Sequence, residues 1–112
     1  MRFEETRIGD VLVVKILEGR ISADVAAPFK QSLIGYINGG NRKLVLNLCE
    51  VTFIDSSGLG ALIGSLKEIG EDGELAVCEA REPVANMFKL TRMNKVFRMF
   101  HSAEEAVAAC SR

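Results

Sequence analysis

Lys43-Leu44-Val45-Leu46-Asn47-Leu48, a Cys49-Glu50 break, and then Val51-Thr52-Phe53-Ile54-Asp55-Ser56-Ser57-Gly58-Leu59-Gly60 form the stretch on which the fold turns. Lys43 to Leu48 is nearly continuous apolar sequence, the pattern of a strand covered on both faces. After the second apolar run, Asp55 to Gly58 leads into Leu59, Leu62, Ile63, Leu66 and Ile69, spaced by three and four residues as the inner stripe of a helix. The spacing predicts a helix over Ser57 to Ile69, stopped by Gly70-Glu71-Asp72-Gly73. A buried strand that feeds a helix is the repeating unit of a sheet with crossover connections.

The same alternation extends in both directions. Upstream, Phe3 to Ile8 and Val11 to Leu17 read as strands joined through Gly9-Asp10, close enough for a hairpin. Asp24 can cap a helix carrying Ala26, Phe29, Leu33 and Ile37 on one face, with Pro28 held near its first turn and Asn38-Gly39-Gly40 at its end. Downstream, Leu75 to Cys78 is a strand, and Pro83 opens a helix with Val84, Met87 and Phe88 inward. Val96 to Phe100 is a further strand, and Ser102-Ala103-Glu104-Glu105 has the capping-box form ahead of Ala106, Val107 and Cys110. The expected class is α/β: a mixed sheet of about five strands, with an N-terminal hairpin plus parallel strands, and about four helices.

With 112 residues the chain is the size of one domain, and a single domain over 1–112 is expected. A net charge of −1 with both signs mixed along the chain provides no basic stripe, so nucleic acid is excluded as a direct partner. Cys49, Cys78 and Cys110 are too few and too widely spaced for a disulfide framework or, with His101 the sole histidine, a metal site. All three are expected in the core as small hydrophobes. No apolar run follows the N-terminal charges and none reaches the ~20 residues of a membrane helix, so a soluble, cytoplasmic chain without membrane insertion is expected.

Enzymatic signatures fail one by one. Ile54 stands where G-x-S-x-G would place its first glycine relative to Ser56, and the one imidazole is far along the chain. Gly58, Gly60 and Gly64 match neither the P-loop nor the dinucleotide fingerprint, and read as room for a tight strand-to-helix entry and close packing. No catalytic residue, cofactor or metal is expected. Asp55-Ser56-Ser57-Gly58 remains, at a predicted helix start. A serine there either caps the helix or carries an anion next to unpaired amides and the positive end of the helix dipole. The residues by themselves favour capping.

The segment Leu46 to Gly60, with its Asn-containing strand followed by Ile-Asp-Ser-Ser-Gly-Leu-Gly, strongly resembles the signature of the STAS domain family, in particular its anti-sigma factor antagonists. The likeness spans the opening hairpin, Leu17-Glu18-Gly19-Arg20-Ile21, the Leu75 to Cys78 strand and the C-terminal helix-strand-helix. It implies that Ser56 is phosphorylated, with Asp55 as its acidic neighbour and Ser57 and Gly58 forming the helix entry. It also implies a regulatory chain with no enzymatic activity, mostly monomeric when free. Its partners would be an ATP-binding anti-sigma factor serine kinase, bound when Ser56 is unmodified, and a serine phosphatase. One position departs: Ser22 stands where the family often has an acid, and Asp24 is two residues further on. Two alternatives remain, a STAS scaffold or accessory subunit of a signalling or membrane transport complex, and a nucleotide hydrolase.

Overall fold

The structure, a computed structural model, describes residues 1–111. β1 (Phe3–Ile8) and β2 (Val11–Ile16) form the antiparallel hairpin, with Gly9 turning the chain at φ +62°, a conformation that costs glycine little. There follow β3 (Arg20–Ile21), α1 (Ala23–Asn38), β4 (Lys43–Asn47), β5 (Phe53–Ile54), α2 (Ser56–Ile69) and β6 (Glu74–Cys78). α3 (Glu82–Leu90), a 3-10 turn at Met93–Lys95, β7 (Arg98–Phe100) and α4 (Ala103–Cys110) complete the chain. The main sheet runs β1-β2-β4-β6-β7, parallel from β2 onward, and β3 pairs with β5 in a separate two-stranded ribbon. The α/β class, the five-stranded mixed sheet and the four helices agree with the sequence reading; the β3–β5 ribbon is new.

Alternation along the central strands sorts the core into two layers. Leu12, Val14, Leu44, Leu46, Leu75 and Val77 face one side, where they meet Phe29 and Leu33 of α1, Leu59 and Leu62 of α2, and Val84 and Phe88 of α3. Val11, Val13, Val45, Ala76 and Cys78 face the other, where α4 alone supplies Ala106, Val107 and Cys110. β4 is therefore buried on both faces, which explains its unbroken apolar run. Truncating one of its leucines to alanine should cost about 2–5 kcal/mol.

Four local expectations need correction. β2 ends at Ile16 rather than Leu17. β7 is shorter than Val96 to Phe100 because the amides of Val96 and Phe97 both donate to Met93 O, committing them to the 3-10 turn rather than to the ladder. Cys78 and Cys110 are buried, but Cys49 is half-exposed. It lies beyond the end of β4, where its carbonyl accepts from Arg81 Nε at 2.6 Å and its amide donates to Asn47 Oδ1 at 2.9 Å. Finally, α1 starts one residue before Asp24: Ser22 holds the cap position and Asp24 lies inside the first turn.

Candidate functional site

The short β3–β5 ribbon brings together the N-termini of α1 and α2, more than thirty residues apart in sequence. Ile21 pairs with Ile54, and both side chains are buried, so the two chains turn into their helices side by side. Asp55 joins the two ends. Its Oδ1 accepts from Gly58 N at 3.0 Å, capping α2, and its Oδ2 accepts from Ala23 N at 3.1 Å, the first residue of α1. One carboxylate thus satisfies an otherwise unpaired amide at each helix start and faces two dipole ends that favour negative charge. The neighbouring backbone adds Asp55 N donating to Ile21 O at 3.3 Å.

Gly58 is fixed by this closeness. A Cβ there would lie 2.4 Å from Ile21 O and 2.8 Å from Ile54 Cγ1, so only glycine lets α2 enter against the ribbon. In contrast, a Cβ on Gly60 would meet nothing within 4 Å, which removes the packing reason given for it from sequence.

The two serines differ from the expectation that one of them caps. α2 starts at Ser56 rather than Ser57, and Asp55 is its cap. Ser56 and Ser57 are exposed in the first turn, and among the described residues neither hydroxyl makes a hydrogen bond. Their backbone amides are also unpaired among the described residues, while Gly58 N is taken by Asp55. An accessible hydroxyl next to two open amides at a helix N-terminus is a surface on which an added anion meets donors.

Ser22 and Asp24 lie next to this corner through Ala23. Ser22 Oγ donates to Asp24 Oδ1 at 2.5 Å, and this bond, followed by a backbone hydrogen bond, holds the Asp24 carboxyl below its ordinary 3.8. Asp24 thus places an acid in the first turn of α1, two residues after Ser22 at the cap position. The structure brings Asp55, Ser56, Ser57, Gly58, Ser22 and Asp24 to one corner.

Two further residues join them. The Arg20 guanidinium lies 4.2 Å from the centre of the Phe53 ring, and both side chains are exposed on the ribbon. Sequence reading passed over this pair because Phe53 looked like one more core residue of Val51 to Ile54. A signal was available: if Ile54 is inward on a two-residue strand, Phe53 must point out.

The α/β layering, the two-strand ribbon and the Asp-Ser-Ser-Gly helix entry define a chain of the STAS type, and the STAS domain model matches residues 2–106: the chain belongs to the STAS domain family. Among named relatives, it is 28% identical over 107 residues to the anti-sigma-B factor antagonist of Staphylococcus aureus, covering 92% of this chain and 88% of that one. The fold superposes with a TM-score of 0.89 on an anti-sigma factor antagonist from Mycobacterium paratuberculosis, at 24% identity over 99% of this chain and 94% of that one. It superposes with a TM-score of 0.70 on the phosphorylated form of the Bacillus cell fate determinant SpoIIAA, at 19% identity over 96% and 98%. Among the described residues no helix is long and apolar enough to cross a membrane.

Proposed function

We propose that this chain is an anti-sigma factor antagonist, acting as a single non-enzymatic domain in the cytoplasm and controlled by phosphorylation of Ser56. Unmodified, it binds an anti-sigma factor that is also an ATP-using serine kinase and frees the sigma factor; phosphorylated, it lets go, and a phosphatase resets it. The observation that carries this reading is the division of labour at α2: Asp55 does the capping, so the Ser56 hydroxyl is exposed and unengaged. The names of the relatives, which include antagonists of anti-sigma factors, support the same partner class.

The energetics are those of a charge switch. A phosphoserine adds about −1.5 to −2 charges at pH 7, and at a helix N-terminus the free chain gains roughly 0.3 to 1 kcal/mol from it. Asp55 and Asp24 oppose that gain, so the net effect on the fold is small. Inside a docked interface the same charge would lose water, and an unpaired buried ion costs several kcal/mol. Moving a two-state equilibrium from 99:1 to 1:99 takes about 5.5 kcal/mol, so loss of binding needs no change of shape. Incubation with the partner kinase and ATP, followed by mass spectrometry, tests the site. Phosphate on Ser56 is expected; phosphate confined to Thr52 or Ser57 would overturn it.

A further inference from the structure

β1 is an open edge of the main sheet. Among the described residues it pairs with β2 alone, and every one of its residues after Phe3 is exposed. An edge strand presents unpaired backbone groups, and the ladder decides which ones. Arg2 stands opposite Leu17, continuing the register that pairs Phe3 with Ile16, and Leu17 N donates to Arg2 O at 3.0 Å. In an antiparallel ladder, directly opposed residues exchange hydrogen bonds at every second position, so Arg2, Glu4, Thr6 and Ile8 bond inward to β2. The N–H and C=O groups of Phe3, Glu5 and Arg7 point outward, past the edge.

The side chains alternate as well. Phe3, Glu5 and Arg7 stand on the α1 face: Phe3 stacks on Phe29 with ring centroids 6.5 Å apart, Glu5 Oε2 accepts from Tyr36 Oη at 2.9 Å, and Arg7 Nη2 donates to Asn41 Oδ1 at 2.6 Å. Among the described residues neither Glu5 nor Arg7 has an ion-pair partner, so each is held in place with its charge unmatched. Glu4, Thr6 and Ile8 stand on the other face, where Glu4 lies opposite Lys15. Charges on an edge discourage pairing with an unrelated strand. A strand with the complementary order of charges meets no such barrier.

We propose that β1 docks on the β1 of a second copy of this chain, antiparallel about a two-fold axis at Thr6, so that the two main sheets continue into one. An axis that continues a sheet keeps like faces together, so it passes through a residue, and the choice of residue fixes every pair. Centring on Glu4, Glu5 or Arg7 sets two like charges directly opposite, which is destabilising. Centring on Phe3 or Ile8 leaves most of the strand unpaired. Centring on Thr6 sets Thr6 against Thr6 and Glu5 of each copy against Arg7 of the other, opposite charges on one face. The same register joins the outward N–H and C=O groups of Glu5 to those of Arg7, so the backbone and the side chains select one arrangement. One short strand a side falls below the roughly 1,000 Å² of stable interfaces, so the association is transient and the dilute chain is monomeric.

Sedimentation equilibrium of the full chain up to about 1 mM, beside a dilution series of the ¹⁵N-labelled chain, tests this without any kinase, and so independently of the Ser56 reading. The mass should rise toward that of two chains with a dissociation constant on the order of 0.1–1 mM, and the amides of Phe3, Glu5 and Arg7 should shift with concentration. Glu5→Arg and Arg7→Glu should each weaken self-association about tenfold, because like charges then face each other twice. Mixed in equal amounts, the two variants should associate with near-native affinity, since every charge then meets its opposite; that recovery also shows both to be folded. A native chain that stays monomeric at about 1 mM, or concentration-dependent shifts centred on β7 at the other edge, would overturn the proposal. Either variant self-associating as tightly as the native chain, or a mixture no tighter than its parts, would overturn the register at Thr6.

Discussion

α2 and α4 both begin where a serine and an acidic residue stand close together, and they divide the work in opposite ways. At α4 the serine itself caps: Ser102 Oγ accepts from Glu105 N at 3.1 Å, and Glu105 Oε1 reaches back to His101 N at 3.1 Å. Glu79 takes Ala103 N as well, so the hydroxyl and its nearby amides are committed to holding the helix on the sheet. At α2 the acid caps and the serine is spare. The difference teaches what separates a structural serine from a candidate switch: whether another acceptor has already satisfied the helix start.

The largest expected effect tests the spare serine directly. Ser56→Asp should weaken kinase binding by about a hundredfold or more, equivalent to roughly 2.7 kcal/mol, while the thermal midpoint moves by no more than about 2 °C. Calorimetric titration beside a melting curve checks both, and a collapsed fold would remove the interface explanation. Gly58→Ala should lower stability by about 2–3 kcal/mol in urea denaturation, since its Cβ would collide with the backbone of Ile21.

The caps come next. Asp55→Ala removes an acceptor from two helices and should cost about 2 kcal/mol, against about 1 kcal/mol for Ser102→Ala, which unties one. Equal costs would break the comparison. Ser56→Ala should change stability by less than about 0.5 kcal/mol, as befits an exposed side chain with no bond to lose; a loss near 1 kcal/mol would mean the serine caps after all.

The smallest effect concerns pH at the same corner. Because the folded Asp24 carboxyl is held below its ordinary 3.8, chiefly by Ser22, its contribution to stability is present above 3.8 and is lost as pH falls through the folded value. Ser22→Ala should move that titration upward toward 3.8, read from the carboxyl carbon resonance; an unchanged titration would show that Ser22 is not its main support.

Much of this was legible from residues alone. β4 was visible because a strand covered on both faces has no polar alternation, and α2 because its leucines and isoleucines recur at helical spacing. Cys49 was misplaced because apolar neighbours in sequence do not show that β4 has already ended at Asn47.

The sequence by itself determined the four helices and the five strands of the main sheet in their order, the burial of β4 on both faces and the Asp-Ser-Ser-Gly segment, because these depend on periodicities within one element. Only the tertiary structure decided which side chain caps α2, why Gly58 must be glycine, and that Ala23, between Ser22 and Asp24, is tied to Asp55. A backbone amide is claimed by the nearest well-aimed acceptor, and here the acceptor, Asp55, is aimed by the pairing of Ile21 with Ile54 across the ribbon.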